Sequence, residues 1–251
     1  MKTTQTWKIG DCLQLLPEIP DKSIDMILTD LPYGTTECAW DSIIDLSKLW
    51  VEYERIIKDN SPVVLTAQTP FDKVLGSSNL KYLRYEWIWI KDQGTGGMNS
   101  HKMPLKIHEN VLVFYKKLPV YNPIFHTGKS YKIKRYKPEI DTVYGKTGLK
   151  ECFFSKNNGV RYPTSELRFG SDTGLHPTQK PLALWEYLIK TYTNEGDTVH
   201  DSCLGSGTTL EACANLNRNC IGFELLHDWE EHYRKRLRLD NTKLDAFNTS
   251  A

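Results

Sequence analysis

The chain has 251 residues, of which 39% are hydrophobic and 25% charged, and its formal net charge is +1 at pH 7. This composition is that of a globular protein large enough to bury a sizeable core, and it excludes a largely disordered chain. No apolar run reaches the roughly 18 residues that a membrane-spanning helix needs, and residues 1–10 carry no apolar signal core, so we expect a cytoplasmic protein without a membrane partner.

The charge is distributed unevenly along the chain. Residues 116–168 contain 12 basic and 4 acidic side chains, a net charge of +8, so the remainder carries −7. Such asymmetry is typical of a nucleic-acid contact, although a solvated basic surface gives the same count. The six cysteines form no C-x-x-C pair and flank no histidines at zinc-ligand spacing, which predicts free thiols and no metal site.

The first half of the chain alternates short apolar strands with an amphipathic helix. Strands are predicted at 7–11, 27–29 and 63–67, and a helix at 43–58. Strand, helix and strand in succession imply a right-handed parallel crossover. Two further strands, at 85–91 and 111–115, are predicted as the edge pair of the sheet, one of them antiparallel.

The strand at 27–29 ends abruptly in Asp30, Leu31, Pro32 and Tyr33. Ligands bind at the carboxyl ends of the strands in an open α/β sheet. Pro32 donates no hydrogen bond, so the Asp30 carboxylate and the Leu31 carbonyl can stand side by side as two acceptors next to a flat ring. Such a group suits a planar exocyclic amine, although ordinary turn chemistry also produces this tetrapeptide. The polar stretch 35–41 that follows is predicted to be a mobile loop over a site.

Helical and strand periodicity is absent between residues 116 and 173. Prolines and glycines interrupt this stretch, and eight aromatic residues between positions 121 and 162 are interleaved with the basic ones. A segment that buries nothing would not carry so many aromatic residues, so the pattern predicts a loop-rich inserted lobe.

Regular structure is predicted again from His176 to Pro181 onward. Pro181 suits the first position of a helix. The helix that begins at Pro181 is followed by a predicted strand at 198–201, a helix at 208–217, a strand at 220–224 and a helix at 228–239.

The turn after the strand at 198–201 contains Gly205 and Gly207, and Glu224 follows Gly205 by nineteen residues. Glycines let a ligand approach the backbone, and an acid at the end of the next strand can bind ribose hydroxyls. A plain strand-to-helix turn contains the same glycines. A dinucleotide enzyme would have a third glycine at position 210, where Leu210 stands. A cofactor with a ribose and no pyrophosphate therefore fits better, and S-adenosylmethionine is the common one.

Three motifs in chain order resemble those of the amino-directed DNA methyltransferases of the β arrangement. They are Asp30 to Tyr33, His176 to Pro181 and Asp201 to Thr209. The resemblance covers nearly the whole chain and implies an α/β, doubly wound, mostly parallel sheet of the Rossmann-like methyltransferase type with a circularly permuted motif order. It implies a catalytic domain of residues 1–116 and 174–240, a target-recognition lobe of 117–173 and a polar tail of 241–251.

The resemblance also implies roles for individual residues. Asp30 and the Leu31 carbonyl would accept the hydrogen bonds of the target amine beside Pro32, and Tyr33 would stack on a flipped-out base. The cofactor-binding residues that it implies are Asp11, Thr178, Gln179, Lys180, Asp201, Gly205, Ser206, Gly207, Thr208, Thr209 and Glu224. DNA contacts are expected from Lys129, Lys132, Lys134, Arg135, Lys137 and Arg161. Leu31 stands where the family more often has proline, and Leu204 where phenylalanine is common.

The activity that the resemblance implies is methyl transfer from S-adenosylmethionine to the N6 amino group of adenine in a specific double-stranded DNA sequence. No metal or covalent intermediate is expected. Asp30 favours adenine, since serine is more typical of cytosine N4 enzymes, but N4-cytosine methylation stays open, as do RNA or protein glutamine methylation and an inactive DNA-binding protein of the same fold. The resemblance points to a bacterial or phage-infected cell and leaves room for a homodimer and a cognate restriction endonuclease as partners.

Overall fold

A computed structural model describes residues 3–34, 42–135, 153–172 and 179–239. The chain divides into two compact units, one of Met1–Asn122 with Ser165–Ala251 and one of Pro123–Thr164. Outside the described residues lie the loop at 35–41, the positions His176, Thr178 and Lys137, and the tail at 241–251.

The larger unit is built on one eight-stranded sheet, and the smaller unit holds two short two-stranded ladders. The strands in chain order are β1 (Gln5–Ile9), β2 (Met26–Asp30), β3 (Val63–Ala67), β4 (Leu83–Thr95), β5 (Lys106–Phe114), β6 (His126–Thr127), β7 (Tyr131–Arg135), β8 (Phe153–Asn157), β9 (Val160–Arg161), β10 (Glu166–Arg168), β11 (Thr198–Asp201) and β12 (Asn219–Glu224).

The described helices are short and amphipathic. They are α1 (Cys12–Leu15), α2 (Leu46–Ile56), α3 (Phe71–Ser78), α4 (Leu182–Tyr192), α5 (Thr208–Asn215) and α6 (Glu230–Arg236), with 3-10 turns at Leu16–Glu18, Gly97–Asn99 and His227–Trp229. None of the helices in the described ranges has the length and apolarity needed to cross a membrane.

The sheet is mostly parallel, with strand order β1-β12-β11-β2-β3-β5-β4-β10. β5 runs antiparallel to both of its neighbours, whereas the remaining pairs are parallel. Adjacent residues of β2 point to opposite faces: Met26 and Leu28 pack in the cluster that includes α4 and α5, and Ile27 packs in the cluster that includes α2. Because both faces are covered, the central strands are continuously apolar. This arrangement confirms the predicted α/β fold class.

Several predicted elements match the structure and others differ from it. The strands predicted at 63–67 and 198–201 have those bounds, and β4 pairs antiparallel with β5. The strands predicted at 85–91 and 111–115 were expected to form the edge of the sheet, which was wrong, because β10 pairs with β4 and forms that edge. β10 was not predicted because it has three residues, of which only Leu167 is buried. The helix predicted at 228–239 begins as a 3-10 turn and ends at Arg236, and α3 was not predicted.

The smaller unit consists of two antiparallel ladders. β6 pairs with β9, and β7 pairs with β8. The rings of Phe125 and Tyr162 pack edge to face with centroids 4.9 Å apart. The unit is therefore ordered by aromatic packing as well as by short ladders, and its bounds are narrower than the lobe predicted at 117–173.

The described cysteines are free thiols, as predicted: they are Cys12, Cys203, Cys213 and Cys220. Cys38 and Cys152 lie outside the described residues. Among the described residues, no group of histidine, cysteine, aspartate and glutamate side chains could hold a metal ion.

Candidate active site

A cavity of about 880 Å³ opens where β1, β2, β11 and β12 end. The acids Asp11, Asp30, Asp201 and Glu224 line it, each at or just after the carboxyl end of one of these strands. Glu109 also lines it, because the antiparallel β5 brings its amino-terminal half to the same edge. The volume lies in the range of small-molecule and cofactor sites.

The carboxylate of Asp30 already accepts three hydrogen bonds from within the protein. The Tyr33 hydroxyl, 2.7 Å away, and the Thr66 hydroxyl both donate to Oδ1. The ammonium group of Lys180 donates to Oδ2 at 2.5 Å. A carboxylate has about four lone-pair sites, so acceptor capacity remains on Oδ2 for a further donor.

Lys180 joins two carboxylates in a nearly buried charge network. Its ammonium lies 3.4 Å from Glu109, and Glu109 lies 2.5 Å from the ammonium of Lys91. The side chains of Lys180, Glu109 and Lys91 are 8%, 8% and 9% exposed. Burial by itself would lower the pKa of Lys180, but the charges of Asp30 and Glu109 outweigh burial and raise that pKa above its usual range. The network keeps the ammonium charged beside Asp30.

Glu109 is held ionised by the same network. Burial acts to raise the pKa of Glu109, but the opposing charges of Lys180 and Lys91 prevail and lower it. Neither Glu109 nor Lys91 was predicted from the sequence as a site residue. A partial signal was present, because Lys91 directly follows the apolar run 87–90 and Glu109 lies two residues before the apolar run 111–114, and buried charges in strands are rare unless they are paired.

The Tyr33 ring is fixed from two directions. Phe71 stacks on it with centroids 5.4 Å apart and an interplanar angle of 24°, and the hydroxyl donates to Asp30. Burial, with the nearby charges of Asp30 and Glu109, raises the pKa of the Tyr33 hydroxyl well above its usual range. The ring is a neutral stacking surface of which Phe71 covers one face. Leu31 and Pro32 line the same part of the cavity, and the Leu31 side chain is buried in the core.

Gly205 and Glu224 form the second part of the cavity. Glu224 Oε2 accepts a hydrogen bond from the Gly205 amide at 2.8 Å, and Oε1 accepts one from the Leu226 amide at 3.0 Å. Burial raises the pKa of Glu224, although these amides oppose the shift. Gly205 has a φ of +51°, and a side chain there would project into open space. The turn therefore presents a bare backbone beside an acid.

Gly207 has a different environment from the one the sequence analysis predicted. It was expected to contact the cofactor together with Gly205, but a Cβ there would lie 2.6 Å from the ring of Tyr233, and Gly207 does not line the cavity. The Tyr233 hydroxyl donates to the Gly205 carbonyl at 2.8 Å. Gly207 therefore leaves space for the Tyr233 ring, whose hydroxyl holds the turn at Gly205.

Asp201 and Thr209 also act within the turn. Asp201 is 2% exposed, and its carboxylate accepts hydrogen bonds from the Cys203 amide and the Thr209 hydroxyl. Burial raises the pKa of Asp201 to about 7. The Thr209 hydroxyl in turn accepts the Trp185 indole N–H at 2.8 Å. Ser206 and Thr208 line the cavity with their hydroxyls 3.3 Å apart.

Gln179 and Asp11 complete the lining. The Gln179 Oε1 is buried without a hydrogen-bond partner in the described part of the chain, an arrangement that a ligand donor would satisfy. Asp11 caps α1 by accepting the Leu13 amide at 2.9 Å. A nucleoside-bearing cofactor fits this lining. The cavity offers it the open backbone at Gly205, the hydrogen-bonded acid Glu224 and the unsatisfied acceptor of Gln179.

A buried polar chain lies beneath the cavity. The Tyr53 hydroxyl donates to Ser202 at 2.8 Å, Ser202 contacts His200 Nε2 at 2.9 Å, and His200 Nδ1 contacts the Ile221 carbonyl at 2.9 Å. Burial lowers the pKa of His200 to about 4. The imidazole is therefore neutral at pH 7, with Nδ1 as donor and Nε2 as acceptor.

The predicted DNA contacts divide into two kinds. The Arg161 guanidinium donates to the Asn157 side chain and the Lys129 carbonyl, and it lies 4.8 Å from the centroid of the Tyr131 ring. Arg161 therefore helps to hold the smaller unit together, and its expected contact with DNA stays a prediction. Lys129 and Lys132 are on the described surface, while the side chains of Lys134 and Arg135 lie outside the described residues.

Comparison with known proteins gives a consistent result. Residues 24–235 match the family model N6_N4_Mtase, described as DNA methylase. The chain is 27% identical to the Type II methyltransferase M.HpaI of Haemophilus parainfluenzae, over 95% of this chain and 76% of that protein. It is 28% identical to the DNA adenine methyltransferase YhdJ of Escherichia coli (strain K12), over 91% of this chain and 81% of that protein.

Solved structures share the fold. The crystal structure of the M1.HpyAVI-SAM complex superimposes with a TM-score of 0.64 at 24% identity, covering 94% of this chain and all of that one. The cytosine-N4-specific PvuII DNA methyltransferase superimposes with a TM-score of 0.64 at 16% identity, covering 95% and 88%.

Proposed function

This chain belongs to the DNA methylase family of N6 and N4 enzymes, and from that premise we propose that it transfers a methyl group from S-adenosylmethionine to the N6 amino group of adenine in a specific DNA sequence. The observation that carries the proposal is the placement of Asp30, with an unfilled acceptor site, on the same cavity as the Gly205 and Glu224 turn. The adenine-directed name of the relative YhdJ and the aspartate at position 30 support adenine over cytosine.

Asp30 and the Leu31 carbonyl act on the target amine. The lone pair of an aromatic amine is delocalised into the ring, so the nitrogen is a poor nucleophile. Two acceptors that bind its hydrogens favour the pyramidal form, and the negative charge of Asp30 stabilises the positive charge that develops on nitrogen. Tyr33 is held by Phe71 and Asp30, and the ammonium of Lys180 lies over its ring, 5.4 Å from the centroid, so the base would stack on the ring beside that ammonium. The methylated amine then loses its proton to solvent, so Asp30 need not act as a base.

The part of the cavity next to Gly205 and Glu224 would bind the cofactor and orient it. Glu224 would accept hydrogen bonds from ribose hydroxyls, the bare backbone at Gly205 would lie against the cofactor, and Gln179 Oε1 would accept a ligand N–H. When bound, S-adenosylmethionine supplies a methyl group already activated for transfer. The chain's contribution is chiefly alignment of the amine, an effect worth up to about 7 to 11 kcal/mol.

The DNA must present the base outside the duplex, because the cavity cannot admit a paired base. Extrusion costs a few kcal/mol, and stacking on Tyr33 would return about 1 to 3 kcal/mol. Basic residues of the smaller unit would add salt-sensitive phosphate contacts. A cognate restriction endonuclease and a homodimer stay within this proposal as partners to be tested.

The experiment is methylation of unmethylated bacterial DNA with radiolabelled S-adenosylmethionine, followed by nucleoside analysis. N6-methyladenine is the expected product. N4-methylcytosine would retain the mechanism but overturn the assignment of the base. Absence of label in DNA, with cofactor binding intact by calorimetry, would overturn DNA as the substrate.

A further inference from the structure

The β4–β5 hairpin extends past the sheet edge at the cavity. Residues 109–114 of β5 are buried, whereas 106–108 are exposed. From the Tyr85–Val113 pair to the Ile90–His108 pair the ladder is regular, and it shifts register before the Thr95–Lys106 pair. A register shift bends a strand away from its sheet, and such shifts are common next to active sites. We call residues 94–107 the hairpin tip.

The hairpin tip exposes four large apolar side chains. Met98 is 92% exposed, Met103 51%, Leu105 47% and Ile107 46%. Met98 lies in the 3-10 turn Gly97–Asn99 that connects the two strands. Side chains this exposed contribute little to the core, and a cluster of them indicates a surface that contacts something else.

The charge of this segment suits a polyanion. Residues 93–108 contain no aspartate or glutamate, and they carry Lys102, Lys106, His101 and His108. The base of the tip also belongs to the cavity wall, because Gln93, Gly94 and Thr95 line the cavity that holds Asp30. The apolar tip is therefore attached to the rim of the site that must receive a base.

We propose that the hairpin tip is a wedge that enters the DNA duplex beside the target base, with Met98 inserted into the base stack. This inference rests on the proposed function. Extrusion of a base leaves a gap in the stack, and inserted apolar side chains, methionine among them, are a known means of opening a base step. Methionine suits the role because its flexible, polarizable side chain packs against aromatic rings. The lysines would neutralise the flanking phosphates, so the surface binds double-stranded DNA.

The test compares two duplexes that carry the mapped target site. In one, the target base is paired; in the other, its partner position is abasic, so extrusion needs no unpairing. The variants are Met98→Ala, the double variant Met98→Ala with Met103→Ala, and the control Leu80→Ala. Leu80 is 69% exposed on a turn outside the hairpin tip. Single-turnover methylation rates are measured, and thermal unfolding of each variant is recorded.

The Met98 variant should be slower on the paired duplex by about tenfold or more and within about twofold of the wild type on the abasic duplex, because the abasic partner removes the unpairing cost. The double variant should show the larger defect, and Leu80→Ala none. Wild-type rates for the double variant on the paired duplex would overturn the wedge, as would an equal loss on both duplexes. Sedimentation of the wild type and the double variant is compared as well. If it differs between them while the methylation rates show no difference between the two duplexes, the wedge is overturned and the tip is a contact with a second copy of the chain. Failure of the wild type on both duplexes would contradict the proposed function, a separate outcome.

Discussion

The ammonium group of Lys180 lies 2.5 Å from Oδ2 of Asp30, although the two residues are 150 positions apart in the chain. Lys180 was expected to contact the cofactor, but its charge is held between Asp30 and Glu109. The site therefore has a cation at the oxygen on which acceptor capacity remains for the target amine. Glu109 gives Lys180 a second carboxylate when that amine binds.

Replacement of Asp30 should remove catalysis while leaving cofactor binding. Asp30→Asn keeps the shape of the side chain but loses its negative charge and one acceptor oxygen. We expect kcat to fall by about 10² to 10³, the loss typical of enzymes from which one group that stabilises transition-state charge is removed. Methylation rates and calorimetric cofactor affinity check this. Asp21→Asn, which alters an exposed ion pair with Arg55, is the control and should be unchanged. Normal turnover in Asp30→Asn would contradict the assignment of the pocket.

Replacement of Lys180 should cost stability that a second change restores. Lys180→Met leaves Asp30 and Glu109 with no shared cation, and removal of one partner of a buried pair costs about 3 to 5 kcal/mol. We expect the lower end, because Lys91 still contacts Glu109. Adding Glu109→Gln should recover part of the loss in free energy of unfolding. Additive losses in the double-mutant cycle would show that the two side chains are not coupled.

The part of the site that follows the parallel-strand rule could be predicted from sequence. Asp30, Asp201 and Glu224 each end a recognisable apolar strand, and carboxyl ends of parallel strands meet at one edge. Glu109 could not be found by that rule, because it lies near the start of an antiparallel strand whose direction the sequence left open. Lys91 was missed for a similar reason: its role depends on pairing between β4 and β5, which no local pattern specifies.

Contacts across the fold limited the prediction elsewhere as well. From the sequence, Gly205 and Gly207 were given the same role, and only the position of Tyr233 in the fold distinguishes them. Arg161 belongs to a basic stretch, yet its guanidinium is bound by Asn157 and the Tyr131 ring. Composition predicts the charge of a segment but not which charges are already paired.

The two glycines of the turn should respond differently to alanine. Gly207→Ala places a methyl group 2.6 Å from the Tyr233 ring at a φ of +80°, so we expect the free energy of unfolding to fall by about 1 to 3 kcal/mol. Gly205→Ala meets open space and should lower stability less but weaken cofactor binding. Chemical denaturation and calorimetry separate the two effects. Equal losses of cofactor affinity with unchanged stability in both would contradict the structural role of Gly207.

His200 should make stability depend on pH. Its folded pKa, about 4, lies below its usual value of 6.5, so between these values the unfolded chain binds more protons and stability falls as pH is lowered. The full difference corresponds to about 3 kcal/mol. His200→Gln supplies a donor and an acceptor without titrating there, so its unfolding free energy should fall less between pH 6.5 and 4. Parallel pH curves for the two proteins would show that His200 does not carry this dependence.

Two single-charge variants of the smaller unit should separate phosphate binding from folding. Lys129→Ala removes one exposed charge, so the slope of log affinity for DNA against log salt should fall by about 0.9 if Lys129 neutralises one phosphate. Arg161→Ala removes the same charge but also its contacts with Asn157 and Tyr131, so it should increase proteolysis within residues 123–164. Salt-titrated binding and limited proteolysis are measured on both variants. An equal change in slope for both variants, with unchanged proteolysis of Arg161→Ala, would support Arg161 as a DNA contact and contradict its structural role, because the loss of its charge alone would then explain its effect.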